Sequence, residues 1–155
     1  RAYADTVQAG AGGGLMLLGP VGTGKTHLLA AMARHMRFER AVTAKVITPR
    51  EIVRELRACW SKDAEKTEED VISGYSRHLD VLLLDEAGMG FGSDAELTQL
   101  FEVIDARYAL GNPTVVASNL ALPEMKHALG DRIFDRLREG AQVLTLVWPS
   151  HRGTV

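Results

Sequence analysis

Gly19-Pro20-Val21-Gly22-Thr23-Gly24-Lys25-Thr26 has the residue types and spacing of a loop that binds a nucleoside triphosphate by its phosphates. Glycine at 19, 22 and 24 lets the backbone turn tightly enough to aim successive N–H groups at phosphate oxygens, and the positive end of a following helix adds to the attraction. Lys25 then reaches the β and γ phosphates, and Thr26 can ligate Mg²⁺. With Pro20, Val21, Thr23 and His27 these residues form the expected ATP/ADP-binding stretch. The plain alternative is a glycine-rich turn without a ligand. The apolar run 15–18 before the loop and the helical pattern after it disfavour that reading.

Val81-Leu82-Leu83-Leu84-Asp85-Glu86 reads as a buried strand ending in two acids. Asp85 is placed to hold Mg²⁺, and Glu86 to orient and deprotonate an attacking water. A strand end can also carry acids for solubility alone, but the phosphate loop upstream favours catalysis. Thr114-Val115-Val116-Ala117-Ser118-Asn119 is a second apolar strand with a polar end. If it lies beside the strand ending at Asp85, Asn119 can bond the attacking water or a γ-phosphate oxygen; alone, it could simply cap a turn. In the last third, Ile133, Phe134 and Leu137 share one helical face, while Arg132 and Arg136 stand one turn apart on another. Those arginines are either surface ion-pair partners or groups that project into a neighbouring subunit's ATP.

Five apolar runs, at 15–18, 44–48, 81–84, 114–118 and 143–147, are continuous rather than alternating, which predicts fully buried parallel strands. Helical patterns separate them. One runs from Lys25 to Arg37 with Leu28, Leu29, Met32 and Met36 in phase. Another covers Arg50 to Trp60, behind Pro49, with Ile52, Val53, Leu56 and Trp60 on one face and Arg50, Arg54 and Arg57 on another. A third spans Asp94 to Leu110 and stops at Gly111-Asn112-Pro113. Ser61 to Asp70 is a polar surface loop or the start of a helix, and Gly10 to Gly14 a flexible lead-in. The alternation implies an α/β fold with a parallel sheet wrapped by helices and a ligand site at the carboxyl ends of the strands.

The 155 residues, 46% hydrophobic and 25% charged, fit one domain with its own core. A formal charge of −2 confines any DNA contact to a local basic patch. The helix faces at Arg34 to Arg40 and Arg50 to Arg57 are candidates, although such faces are usually just solvated. Trp60, four residues after Leu56, is expected in the core rather than stacked on a base. The single cysteine, Cys59, excludes an internal disulfide, favours a cytoplasmic setting and is itself expected in the core. The five histidines lack the spacing of a metal site, and no apolar stretch approaches the ~20 residues of a membrane span. A start at Arg1 rather than Met suggests a piece of a longer chain.

The phosphate loop, the strands ending at Asp85-Glu86 and at Asn119, and Asp135-Arg136-Leu137 together resemble the AAA+ ATPases. More narrowly, the run from Leu129 to Gly140, followed by a strand and Ser150-His151-Arg152, is similar to the DnaC-type replicative helicase loaders and the IstB-type transposition helpers. The resemblance covers nearly the whole chain. It implies an AAA+ P-loop NTPase of the ASCE type, one domain over 1–155, with a five-stranded parallel sheet between helices and no C-terminal lid domain. It also implies Mg²⁺-dependent ATP hydrolysis, with Lys25, Glu86 and Asn119 catalytic, Arg136 acting in trans as an arginine finger, and Arg152 contacting the γ-phosphate. Arg132 is the rival for the finger. The partners it implies are a replicative hexameric helicase, single-stranded DNA, and further copies of the chain with ATP at each junction; no membrane is involved. The sequence departs from the family pattern at His151, where Tyr is common, and in lacking the family's N-terminal helicase-binding region. Two other roles compete: the transposition helper, which acts on duplex DNA, and a nucleotide-gated scaffold with little hydrolysis. A metabolic P-loop kinase fits poorly, because such kinases need a substrate lid and usually lack the Asp-Glu and Asn arrangement.

Overall fold

Continuous apolar strands need cover on both faces, and the chain supplies it with a sheet between two helical layers. The computed structural model describes residues 2–6, 13–90 and 93–149. In chain order the elements are α1 (Ala2–Thr6), β1 (Gly14–Leu18), α2 (Lys25–Glu39), β2 (Ala44–Ile47), α3 (Pro49–Ala58), α4 (Glu68–Ser76), β3 (Val81–Leu84), α5 (Asp94–Ala109), β4 (Thr114–Ser118), α6 (Leu122–Arg138) and β5 (Ala141–Thr145). The five strands are parallel in the order β2-β3-β4-β1-β5, so β4 is inserted between the strand before the phosphate loop and the strand before Asp85.

Successive side chains on each strand serve opposite layers. Leu15 and Leu17 pack with Leu29 and Met36 of α2, while Met16 and Leu18 pack with residues of α3 to α6, among them Ile52, Ile104 and Ile133. The chain moves one way across the sheet through α2 and the other way through α3 to α6. Right-handed crossovers put those two sets of helices on opposite faces.

The strands and the three principal helices lie within a few residues of their expected bounds, with informative differences. β3, β4 and β1 are buried throughout or nearly so, whereas the edge strands are not: β2 is half-covered, and four of the five residues of β5 are exposed. An edge strand has a neighbour on one side only, so apolar character alone does not bury it. β5 also begins earlier than its apolar run, because Gly14 to Leu18 pair with Ala141 to Thr145. Leu28 is exposed, and the buried face of α2 turns instead through Leu29, Met32, Ala33 and Met36. Trp60 is 64% exposed, contrary to its expected place in the core, because α3 ends at Ala58 and the periodic face does not continue to it. Cys59 is only half-buried at the margin of the core.

Within the polar stretch, Thr67 caps α4: its hydroxyl accepts from the Asp70 N–H while the Asp70 carboxylate accepts from the Thr67 N–H, at 3.2 and 2.8 Å. Thr48 and Glu51 do the same for α3. α6 is broken at Gly130, whose φ of 75° and ψ of 159° belong to a region open essentially to glycine alone. Among the described residues no helix is long and apolar enough to cross a membrane.

Candidate nucleotide site

β1 and β4 end level with each other, and β3 ends two residues earlier beside them. Leu18 is level with Ser118, and Leu84 with Val116, so the segments that follow β1, β3 and β4 open side by side above the sheet. The Ala87 N–H donates to the Ala117 carbonyl at 3.0 Å, and the Ser118 hydroxyl donates to the Ala87 carbonyl at 2.7 Å, fastening the turn after Asp85-Glu86 to the strand that delivers Asn119. The Gly19 N–H donates to the Ser118 carbonyl at 3.3 Å, completing the link to the phosphate loop.

Between these segments lies a cleft of about 410 Å³. Val21, Gly22, Gly24, Lys25, Thr26 and His27 line it from the loop and the first turn of α2. Asp85, Glu86 and Asn119 line it from the neighbouring strand ends. Gly19, Pro20 and Thr23 shape the loop from beneath: the Lys25 ammonium donates to the Gly19 and Pro20 carbonyls at 2.7 Å each and to the Thr23 hydroxyl at 3.3 Å. Burial lowers the pKa of Lys25 and the Asp85 carboxylate opposes that shift. Glu86 is exposed, has a positive φ of 56°, and donates its N–H to Asp85 Oδ1 at 3.0 Å. A non-glycine residue in the left-handed region stores strain of a kind common at functional sites.

The cleft suits a nucleotide phosphate with its cation. α2 starts at Gly24, in the left-handed conformation, with no side chain capping its first turn, so its N–H groups are available to an anion. A Cβ at Gly19 would stand 2.4 Å from the Leu146 carbonyl oxygen, so the loop's first turn closes only with glycine. The Thr26 hydroxyl and the Asp85 carboxylate are hard oxygen donors of the type Mg²⁺ takes alongside phosphate oxygens and water. Among the described residues no cluster of three or more His, Cys, Asp and Glu is placed to hold a metal ion.

Arg136 lies elsewhere. It lines a second hollow with Gly13, Gly14 and Thr114, at the ends where the strands begin, about 15 Å of strand from the cleft. Its guanidinium donates to Asp105 Oδ1 at 2.8 Å and stacks on the Tyr108 ring at 4.3 Å. Arg132 stacks on Phe101 at 3.9 Å. Ser150, His151 and Arg152 lie outside the described residues.

Sequence reasoning overlooked Ser118, whose buried hydroxyl joins two strand ends, and Trp148, whose indole N–H donates to the Thr23 carbonyl at 3.1 Å. The signal for Ser118 was a hydroxyl in an otherwise apolar strand. Nothing local marked Trp148, since its partner lies far away in sequence.

Residues 9–153 match the family model described as IstB-like ATP binding protein. The replicative helicase loader DnaC of Buchnera aphidicola subsp. Schizaphis graminum is 31% identical over 135 residues, 86% of this chain and 54% of the relative. The chain therefore spans about half the length of the curated relatives it matches. A crystal structure of the DnaC helicase loader superposes with a TM-score of 0.82 at 19% identity, over 94% of this chain and 85% of the other. The replication initiator DnaA bound to AMPPCP and single-stranded DNA superposes with a TM-score of 0.76 at 21% identity, over 94% of this chain and 43% of the other. These likenesses establish the P-loop AAA+ fold.

Proposed function

Because this chain belongs to the IstB-like ATP-binding protein family, we propose that it is the ATP-hydrolysing domain of a DnaC-like helicase loader, acting in the cytoplasm during DNA replication. The observation that carries hydrolysis is the convergence of the phosphate loop, Asp85-Glu86 and Asn119 in one cleft. The loader role rests on relatives named replicative helicase loader.

In this reading the loop N–H groups, Lys25 and His27 hold the phosphates of ATP. Thr26 and Asp85 hold Mg²⁺, which when bound neutralises phosphate charge. Glu86 orients a water and takes its proton, standing at the cleft's solvent-facing rim, where water has access. Asn119 fixes that water or a γ-phosphate oxygen. Arg136 cannot reach its own cleft, which supports a role in trans at a neighbour's ATP. Its pair with Asp105 lies in solvent, where screening makes it cheap to give up. Arg152 completes the γ-phosphate contacts.

The domain self-associates with ATP at its junctions and binds single-stranded DNA. Exposed Arg34, Arg37 and Arg40 on α2, Arg50 and Arg54 on α3, and the open ring of Trp60 supply the cations and the stacking face such binding needs. A replicative hexameric helicase is the protein partner. The family's description also favours a second reading, a transposition helper that acts on duplex DNA.

Fluorescence anisotropy of a labelled single strand against a matched duplex, with ATP, with ADP and without nucleotide, separates the two. ATP-dependent preference for the single strand is the expected result. Preference for duplex moves the assignment to the transposition helper, and no binding of either removes the DNA contact from this domain.

A further inference from the structure

The segment after β5 is pressed against the phosphate loop at two points. The Leu146 N–H donates to the Leu18 carbonyl at 2.7 Å, and the Leu146 carbonyl fills the space that a side chain at Gly19 would take. Two residues on, the Trp148 indole N–H donates to the Thr23 carbonyl at 3.1 Å. Pro149 follows and disfavours helical backbone at Trp148, which stands at a bend in the chain.

Thr23 is nearly fully buried, and its hydroxyl is already engaged, donating to the Pro20 carbonyl at 2.9 Å and accepting from Lys25. On its Gly24 side the peptide between Thr23 and Gly24 has open space around it. Gly24 has φ of 86°, a Cβ placed there would meet nothing within 4 Å, and no side chain caps the helix start. In a trans peptide the carbonyl and the following N–H point in opposite directions. A carbonyl tied outward therefore turns the Gly24 N–H towards the cleft that Gly24 lines.

We propose that Trp148 is a positioning residue for the phosphate loop: its hydrogen bond to the Thr23 carbonyl aims the Gly24 N–H at the nucleotide phosphates. The proposal rests on the nucleotide reading above. It predicts a loop that is orientated in advance, so loss of the indole N–H acts on phosphate affinity rather than on the chemical step. One net hydrogen bond corresponds to about a 3- to 10-fold change in affinity.

The test is calorimetric titration of ADP into the wild type, Trp148→Phe, Trp148→His and Lys25→Ala, with thermal unfolding of each recorded without nucleotide and steady-state ATPase kinetics for the two Trp148 variants. Trp148→Phe should weaken ADP about 3- to 10-fold and raise KM similarly, with kcat within about twofold and the unfolding midpoint unchanged. Trp148→His, which keeps a ring N–H, should recover part of the loss. Wild-type affinity in Trp148→Phe, with Lys25→Ala still defective, overturns the proposal and leaves the nucleotide reading intact. Absence of ADP binding by the wild type removes both. If Trp148→Phe does not fold, the Trp60→Phe variant decides, because Trp148 is then the chain's one indole. Saturating ADP should shift its emission, and an unchanged spectrum overturns the proposal.

Discussion

Lys25 and Arg107 show how single cations are handled in this fold. Lys25 is buried at the loop, where desolvation works against its charge, and two carbonyls and a hydroxyl hold it in place. Arg107, in α5, is fully buried and far from any phosphate. Its Nε donates to the Thr114 hydroxyl, and its two terminal nitrogens donate to the carbonyls of Tyr75, Leu79, Asp80 and Pro113. Burial lowers its pKa to about 10, against the opposing charge of Asp80. A planar fork with five N–H donors suits five acceptors drawn from the end of α4, the approach to β3 and the start of β4. Arg107→Met should therefore cost about 3 kcal/mol or more in urea unfolding, and Arg107→Lys nearly as much, since an ammonium cannot span the acceptors. A cost within the noise would show that solvent replaces the guanidinium. None of this was legible in sequence, where Arg107 read as one more charge on a helix. The phosphate loop, Asp85, Glu86 and Asn119 were legible because their chemistry is local: each sits within or directly after a short apolar strand whose end fixes its place. Trp148 and Arg107 act on partners distant in the chain, and local pattern carries no such information.

At the scale of elements, β1, β3 and β4 were readable because central strands must be apolar on both faces, whereas the cover of β2 and β5 depends on their place in the sheet, which spacing does not report. α4 begins in the stretch from Ser61 to Asp70, which in sequence reads as a loop or the start of a helix, for a similar reason. It is short and rich in acids in its first turn, and its start is fixed by the Thr67–Asp70 capping box rather than by an apolar stripe. The caps make α3 and α4 sensitive to acid. The Thr48 N–H and hydroxyl donate to the Glu51 carboxylate and hold its pKa below the ordinary 4.5. A carboxylate stabilised in the folded state contributes fully above that value, and the contribution is lost as the pH falls through the lowered one. The Asp70 carboxylate behaves alike below 3.8. Glu51→Ala should thus lower stability by about 0.5 kcal/mol at neutral pH, a value reduced by solvent screening. In urea titrations its deficit should narrow progressively below pH 4.5, and a deficit independent of pH would assign the cost to helix propensity instead. The break at Gly130 divides α6, so that Arg132 and Arg136 both stand on its second half, against Phe101 and Tyr108 of α5.

For the whole molecule, the two ends of the sheet divide the labour: the nucleotide cleft lies where the strands finish and Arg136 where they begin. The proposed role of Arg136 in trans requires one copy's Arg136 to meet another's cleft. Arg136→Ala should keep ATP binding and lose about 10³-fold in turnover, and mixing it with Glu86→Gln should restore turnover well above either alone. Failure of the mixture to recover would place the catalytic arginine elsewhere, with Arg132 the next to test. The fold class and the cleft's place at the carboxyl ends of the strands followed from the order of strands and helices, whereas the place of Arg136 and the oligomer geometry depend on surfaces that no local pattern encodes. In the proposed mechanism the Asp85-Glu86 strand end turns a nucleotide-binding loop into a hydrolytic site. Its most direct test is ATP binding and single-turnover hydrolysis measured side by side on the wild type and Glu86→Gln, with Mg²⁺ and saturating single-stranded DNA. In the variant, affinity should stay within about twofold of the wild type and hydrolysis should be slower by about 10²- to 10⁴-fold. Equal hydrolysis by the two proteins, or none by the wild type, would contradict it.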